Sequence, residues 1–222
     1  MELEKYQRNH ILSKSTFVQA KQCTKLLYLN KNKRKEKKDY SKQTKVLFSF
    51  GKQFEADFRN KFDNGIHLTE ILGNKFHYYA AYTEELLASK GDETLFEAGI
   101  IYDDVLVLTD VLQQNENGSY TIYEIKFANK LKPVFIWDLA VQYYVCKNKL
   151  QNIESFNVVL KGKKGKFRIL NVTDLLEKQL EKISKEVVEF KKVLNLDNAP
   201  EVKIGSQCFR PYECPFMDYC RK

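Results

Sequence analysis

The order of hydrophobic periods predicts an α/β protein with a mixed central sheet flanked by helices. Three observations carry this. Apolar residues recur at helical spacing on both sides of a middle stretch, 94–127, where the period shortens to two. Asn117-Gly118 falls between two of the period-two runs and marks a tight hairpin. A helical run, further strand patterns and a long amphipathic helix follow, which is the alternation of an α/β chain.

Residues 13–30 read as one helix, capped by Ser13 or Ser15, with Phe17, Ala20, Thr24 and Leu27 on one face. The basic run NKNKRKEKKDYSK has no apolar anchor and reads as a mobile, solvated loop. A second helix is expected over 44–62. Its aromatic stripe Phe50, Phe54, Phe58 and Phe62 is expected in the core, with Gly51 and Glu55 beside it. The region 66–90 has no single period; it holds His67 and His77, read as loop or surface residues, and a short helix at Thr83 to Ala88. Strands are expected at LFEAGIIY, DVLVLTDVLQ and YTIYEIKFA, then a helix over 134–149 behind Pro133. SFNVVLKG reads as another strand, with FRILNV as its partner across Gly165. Residues 174–194 form an amphipathic helix through Leu176, Leu180, Ile183, Val187 and Leu194. The tail, GSQCFRPYECPFMDYCRK, has no period. Neither a repeat nor a linker is evident, so 1–222 reads as one domain.

Hydrophobic residues make up 43% of 222 residues, enough for a sizeable core and too many for wholesale disorder. No apolar run approaches the ~20 residues that span a bilayer, and MELEKYQRNH lacks the apolar stretch of a secretory signal. A cytoplasmic protein with no membrane partner is therefore expected. The formal charge of +8 favours an acidic partner, nucleic acid being the commonest, although lysines merely filling solvated positions give the same charge.

Alternation along VLVLTDV places Asp110 in an apolar row with Leu106, Leu108 and Leu112. On the next strand Tyr120, Ile122, Glu124 and Lys126 share a face, and the hairpin brings Asp110 near Tyr123 and Glu124. Carboxylates and a lysine inside a sheet are costly unless paired or bound to a cation. Mg²⁺ or Mn²⁺ suits such oxygen donors. A solvated Glu–Lys ion pair is the plainer alternative.

Of five cysteines, Cys146 stands alone and reads as a core residue. Cys23, Cys208, Cys214 and Cys220 form one distant position and a C-terminal trio. Disulfides are poorly placed in a reducing compartment, whereas four thiolates can hold an iron–sulfur cluster or zinc. The close C-x2-C pairs usual in zinc knuckles are missing.

Asp110 followed by Glu124-Ile125-Lys126 resembles the core of the PD-(D/E)XK nucleases, specifically the RecB-like branch. Gln142 in AVQYYVCKNKL resembles that branch's Q-x-x-x-Y helix, with Cys146 where the tyrosine is expected and Tyr143 and Tyr144 nearby. The early cysteine in LSKSTFVQAKQCTKLLYL and the trio in PYECPFMDYC are similar to the iron–sulfur members, including the CRISPR-associated Cas-four and AddB nuclease domains. The resemblance implies a restriction-endonuclease-like core, with 1–43 and 200–222 joined by a 4Fe-4S cluster on Cys23, Cys208, Cys214 and Cys220, zinc being the alternative. It implies Mg or Mn held by Asp110, Glu124 and the carbonyl of Ile125. Lys126 would assist the attacking water and Gln142 would orient substrate or lysine. The histidine ligand usual in the family is replaced by Glu55, with Glu97 as a further acidic candidate. The substrate implied is DNA, at single-stranded ends or flaps, and the partners implied are those of CRISPR adaptation or recombination. Lys33, Arg34, Lys35, Lys37 and Lys38, and a second cluster at Lys161, Lys163, Lys164 and Lys166, are candidates for phosphate contact. A binding subunit without chemistry is the rival expectation.

Overall fold

The computed structural model describes residues 7–89 and 93–222. The expectation drawn from the N-terminal stretch falls, for residues 1–6, outside the described residues, as does residue 90 of the 66–90 region. Three adjacent strands carry the middle of the fold: β3 (Thr94–Tyr102), β4 (Val105–Gln114) and β5 (Tyr120–Ile125). Asp103 and Asp104, both at positive φ, form the two-residue turn between β3 and β4, the backbone twist that tight hairpins favour. Gly118, at φ 75°, serves the turn between β4 and β5.

Around this meander the described residues complete a seven-stranded mixed sheet. Its order is β2 (Ile66–His67), β3, β4, β5, β6 (Ile153–Lys161) and β7 (Phe167–Asn171). The pairs β2–β3 and β5–β6 are parallel, while β3–β4, β4–β5 and β6–β7 are antiparallel. A further short strand, β1 (Leu12–Ser13), runs parallel to the start of β4, pairing Leu12 with Val105. The expected α/β class with a mixed sheet flanked by helices is the observed one.

β4 changes partner along its length. Its end pairs with β5 from Gln114 back to Val111, and its beginning pairs with β1. β5 instead stays with β6, up to Ile125 opposite Val159 and the Lys126 amide on the Val159 carbonyl. The two strands thus diverge just past Asp110 and Glu124, leaving a fork in the sheet.

The helices cover the sheet by their apolar faces. Helix α6 (Pro133–Leu150), started by Pro133, lays Leu139, Ala140, Tyr143 and Cys146 into the main core with Ile122 and Phe156. Helices α1 (Lys14–Gln22) and α8 (Leu180–Leu194) join the same core through Phe17, Ile183 and Val187. Helix α1 thus packs into the main body. The smaller helices α4 (Leu68–Leu72) and α5 (Tyr79–Ser89) pack against β3. A second, aromatic core lies under α3 (Lys42–Arg59), where Phe58 meets Phe96, Val111, Ile125 and Val159.

Four local expectations are corrected. The single helix over 13–30 breaks at Cys23, whose extended backbone separates α1 from α2 (Thr24–Asn32). The break turns Phe17 and Ala20 towards the main core and Leu26 and Leu29 towards the cysteine-rich tail. The helix over 174–194 is likewise two pieces, α7 (Thr173–Glu177) and α8, joined at Lys178–Gln179. The basic run after α2 is not merely solvated: residues 34–36 form a 3-10 turn, and the Lys38 amide donates to the Pro215 carbonyl. The aromatic stripe of α3 is core only at its C-terminal end, where Phe58 packs on Phe96, Val111, Ile125 and Val159; Phe58 is buried, whereas Phe50 is 54% exposed. Among the described residues, no helix is long and apolar enough to cross a membrane.

Phe17 is fully buried and meets Phe190 edge-on at 5.1 Å, tying α1 to α8. Phe17→Ala should lower the unfolding free energy by roughly 3–5 kcal/mol, measured by urea denaturation. If α1 belongs to the main body, the variant will still unfold in one transition.

Candidate functional site

Three carboxylates form one rank across the three central strands. Glu97 lies between the pairs Phe96–Val111 and Ala98–Thr109, and therefore faces Asp110 on β4. One step beyond the Val111–Tyr123 pair, Asp110 faces Glu124 on β5. Glu97 has φ 56°, a left-handed backbone in mid-strand that only strong local constraints maintain in a residue with a Cβ. Glu55 reaches the rank from α3. Ligand oxygens of Glu55, Glu97 and Asp110 all lie within 4.8 Å of one another.

The cations sit among these groups. Lys14, the first residue of α1, enters the fork that β1 opens; its Nζ donates to Glu124 Oε1 at 3.0 Å and to the Leu108 carbonyl at 3.4 Å. Lys126 Nζ donates to the same Glu124 oxygen at 2.7 Å and to Asp138 on α6. Arg59 bonds both Glu55 and Glu97, the latter at 2.5 Å. The amide of Ile125 donates to Asp110 Oδ2 at 2.6 Å, fixing that carboxylate against the end of β5. Glu124 Oε2 is buried without a hydrogen-bond partner.

Burial sets the electrostatics. It pushes the Glu55 carboxyl up to about 7, with repulsion from Glu97 adding to the effect and Arg59 opposing it. Burial, then repulsion from Glu124, raises Asp110 well above the usual carboxylate range. Burial also works against ionised Glu124, but Lys126 and Lys14 hold it down at about 2. Against its own burial, Lys126 is held well above the usual lysine range by Asp138 and Glu124, so it stays an ammonium.

The structure thus brings together Asp110, Glu124, Lys126 and Glu55 among the expected residues, with Ile125 adjoining through its amide. Gln142 lies on the same stripe of α6 as Asp138 and Cys146, and neither polar atom of its buried amide has a hydrogen-bond partner. Cys146 is a buried core residue. Tyr143 and Tyr144 turn away, to Glu177 and Asp103. His67 packs on Phe96, centroids 4.5 Å apart. The basic candidates lie on two separate elements: Lys33, Arg34 and Lys35 beside the cysteine tail, and Lys163 and Lys164 in the exposed turn between β6 and β7. Sequence reasoning missed Lys14, Arg59 and Asp138. Arg59 follows Glu55 by four residues and Asp138 precedes Gln142 by four, so helical spacing alone could have found both. Nothing local marked Lys14.

Cys23, Cys208, Cys214 and Cys220 line one pocket, floored by Leu26 and Leu29 of α2. Burial raises the Cys214 thiol, and its three cysteine neighbours raise it further. Thiols are the donor type of iron–sulfur clusters and zinc sites, but among the described residues no three of these sulfurs lie within 4.8 Å of one another. Beside Cys23, Gln22 donates to the carbonyls of Gln207 and Tyr212, both at 2.7 Å, clasping α1 to the C-terminal segment.

No family model and no curated protein matches the chain. Among solved structures it is similar to SSO0001, known from its crystal structure. That likeness covers 80% of this chain and 97% of the other, at 13% identity and a TM-score of 0.30. A likeness of this order carries no argument about fold or activity.

Replacing Glu124, itself buried, by alanine leaves the partly buried Lys14 and Lys126 without their shared acceptor, with only the Leu108 carbonyl and Asp138 remaining to them. The metal-free protein should lose about 3–5 kcal/mol of stability, read by urea denaturation in EDTA. An unchanged midpoint would show that the two lysines do not depend on Glu124.

Proposed function

We propose that the chain is a metal-dependent DNA nuclease of the PD-(D/E)XK type, RecB-like, carrying a structural iron–sulfur cluster. The observation that carries this is the fork itself. Glu97, Asp110 and Glu124 stand in rank with Glu55 above them, and a charged lysine is bonded to the last of the rank.

The donors fit a hard divalent cation: they are carboxylate oxygens, grouped within bonding reach of a single centre, and Glu124 adds an oxygen with no other partner. Asp110, Glu55 and Glu97, with Glu124 alongside, would hold Mg²⁺ or Mn²⁺. When bound, such an ion activates water and offsets charge on a phosphoryl group. The remaining work falls to the chain. Lys126 remains protonated, so it acts as a hydrogen-bond donor that orients the water and steadies charge developing on phosphate, and not as a base. Asp138 and Glu124 aim its Nζ. Lys14 shares the restraint of Glu124. Gln142, whose buried amide is unsatisfied on the stripe between Asp138 and Cys146, would orient the lysine from within the core. The four cysteines would hold the cluster, which would tie α1 to the 200–222 segment.

Purified anaerobically, the protein should cleave end-labelled single-stranded DNA with Mn²⁺ and not with EDTA. Glu124→Gln and Lys126→Ala should each slow cleavage by roughly 10²–10³-fold. A folded protein that binds DNA but does not cleave it in Mn²⁺ would overturn the enzymatic reading in favour of a binding subunit.

Iron and sulfide should accompany a brown protein, and Cys214→Ala should lose the colour together with thermal stability. A colourless protein containing stoichiometric zinc would replace the cluster with a zinc site.

A further inference from the structure

The half of the aromatic stripe that leaves the core has company. Phe50 of α3 stacks on Phe127 at 6.1 Å with 21° between the ring planes, and Phe54 leans on Phe127 at 5.6 Å. Both outer rings are open to solvent, Phe50 by 54% and Phe127 by 39%. Phe127 directly follows Lys126, so the exposed rings begin at the edge of the fork. Ammonium groups rim them. Lys161 Nζ stands 4.2 Å from the centre of the Phe127 ring, and Lys61 Nζ stands 5.2 Å from that of Phe167, which itself packs on Phe54.

We infer that Phe50, Phe54 and Phe127 form a stacking platform for unpaired bases of a single-stranded nucleic acid led to the fork. Half-exposed rings with ammonium groups at hand match both halves of a nucleotide: Lys161 lies over Phe127 and Phe50 stacks on it, so the base adds to the stack at Phe50, the more exposed ring, and the phosphate meets the ammonium. An apolar protein surface matches only the first half and would strip water from the lysines without pairing them. A duplex offers the phosphates, but its bases already stack on one another and expose no face to a ring. The chain's charge of +8 favours the same polyanionic partner. Backbone contact through Lys161 and Lys61 carries no sequence information, and stacking is tolerant of base identity, so the platform grips a strand of any sequence.

The platform deepens the nuclease reading and rests on it only for the fate of the strand after binding. Its test is therefore binding without cleavage. The whole protein is titrated into fluorescently labelled oligo-dT and into a mixed-sequence duplex, in EDTA, with anisotropy as the signal. Phe50→Ala and Phe127→Ala should each weaken single-strand binding roughly tenfold and leave duplex binding unchanged, with Phe127→Tyr restoring the affinity. Lys161→Ala should flatten the salt dependence of binding. Unchanged single-strand affinity in a folded Phe50→Ala, Phe127→Ala double variant overturns the platform, as does an equal loss on duplex or no single-strand binding by the unaltered protein. Should the variants fail to fold, ultraviolet crosslinking of the unaltered protein to iododeoxyuridine-substituted DNA decides. Adducts on Phe50, Phe54 or Phe127 support the platform, and adducts elsewhere refute it. Binding through these rings without Mn²⁺-dependent cleavage sinks the nuclease reading and leaves the platform standing. Cleavage with single-strand affinity indifferent to the rings does the reverse.

Discussion

The parting of β4 from β5 is the constraint on which the rest of the site depends. A continuous ladder would bury the strand edges and leave no room for Lys14 or a ligand. Because β5 follows β6 while β4 takes up β1, polar backbone and side chains at the split must find other partners. The Ile125 amide finds Asp110, the Leu108 carbonyl finds Lys14, and Glu124 finds two lysines. Each bond satisfies a group that the split would otherwise strand. Together they fix the carboxylates without a direct contact between Asp110 and Glu124.

The same split explains why α1 begins where it does. β1 fills the vacated edge of β4, and Ser13 at its end caps the helix that follows, accepting from the Thr16 amide while Thr16 accepts from Ser13's own. The next residue, Lys14, is thereby delivered into the fork. Nine residues on, the helix stops at Cys23, and Gln22 beside it holds the segment carrying the other three pocket cysteines. One short helix therefore connects the carboxylate rank to the cysteine pocket. The break at Cys23 is what allows its two sides to face different cores.

Much of this was legible in the sequence, and the failures have definite causes. The strands, the Asn117-Gly118 turn and α6 followed from period and punctuation, because local chemistry decides them. Asp110, Glu124 and Lys126 could be placed near one another because a hairpin fixes register. The break at Cys23 carries no Gly or Pro; tertiary contact made it, and propensity could not. Lys14 reaches its partner across 110 residues of chain, a distance no window spans. The stripe of α3 misled because period reports which residues share a face, not whether anything covers it. Phe58 finds a cover of core residues, whereas Phe50 is left half-exposed.

The charge balance at the fork bears on what it binds. Glu55, Glu97, Asp110, Glu124 and Asp138 bring five carboxylates, against the cations Lys14, Arg59 and Lys126. Fully ionised, this group carries two uncompensated negative charges in a largely buried place. Two carboxyls, Glu55 and Asp110, are the ones driven upwards towards neutrality. Protonation is one way to remove two charges, and a single divalent cation is the other. The second leaves every carboxylate ionised and puts the positive charge between the very groups whose oxygens approach within 4.8 Å. On the proposed reading, a single dication would offset the deficit of two at the oxygens that face one another.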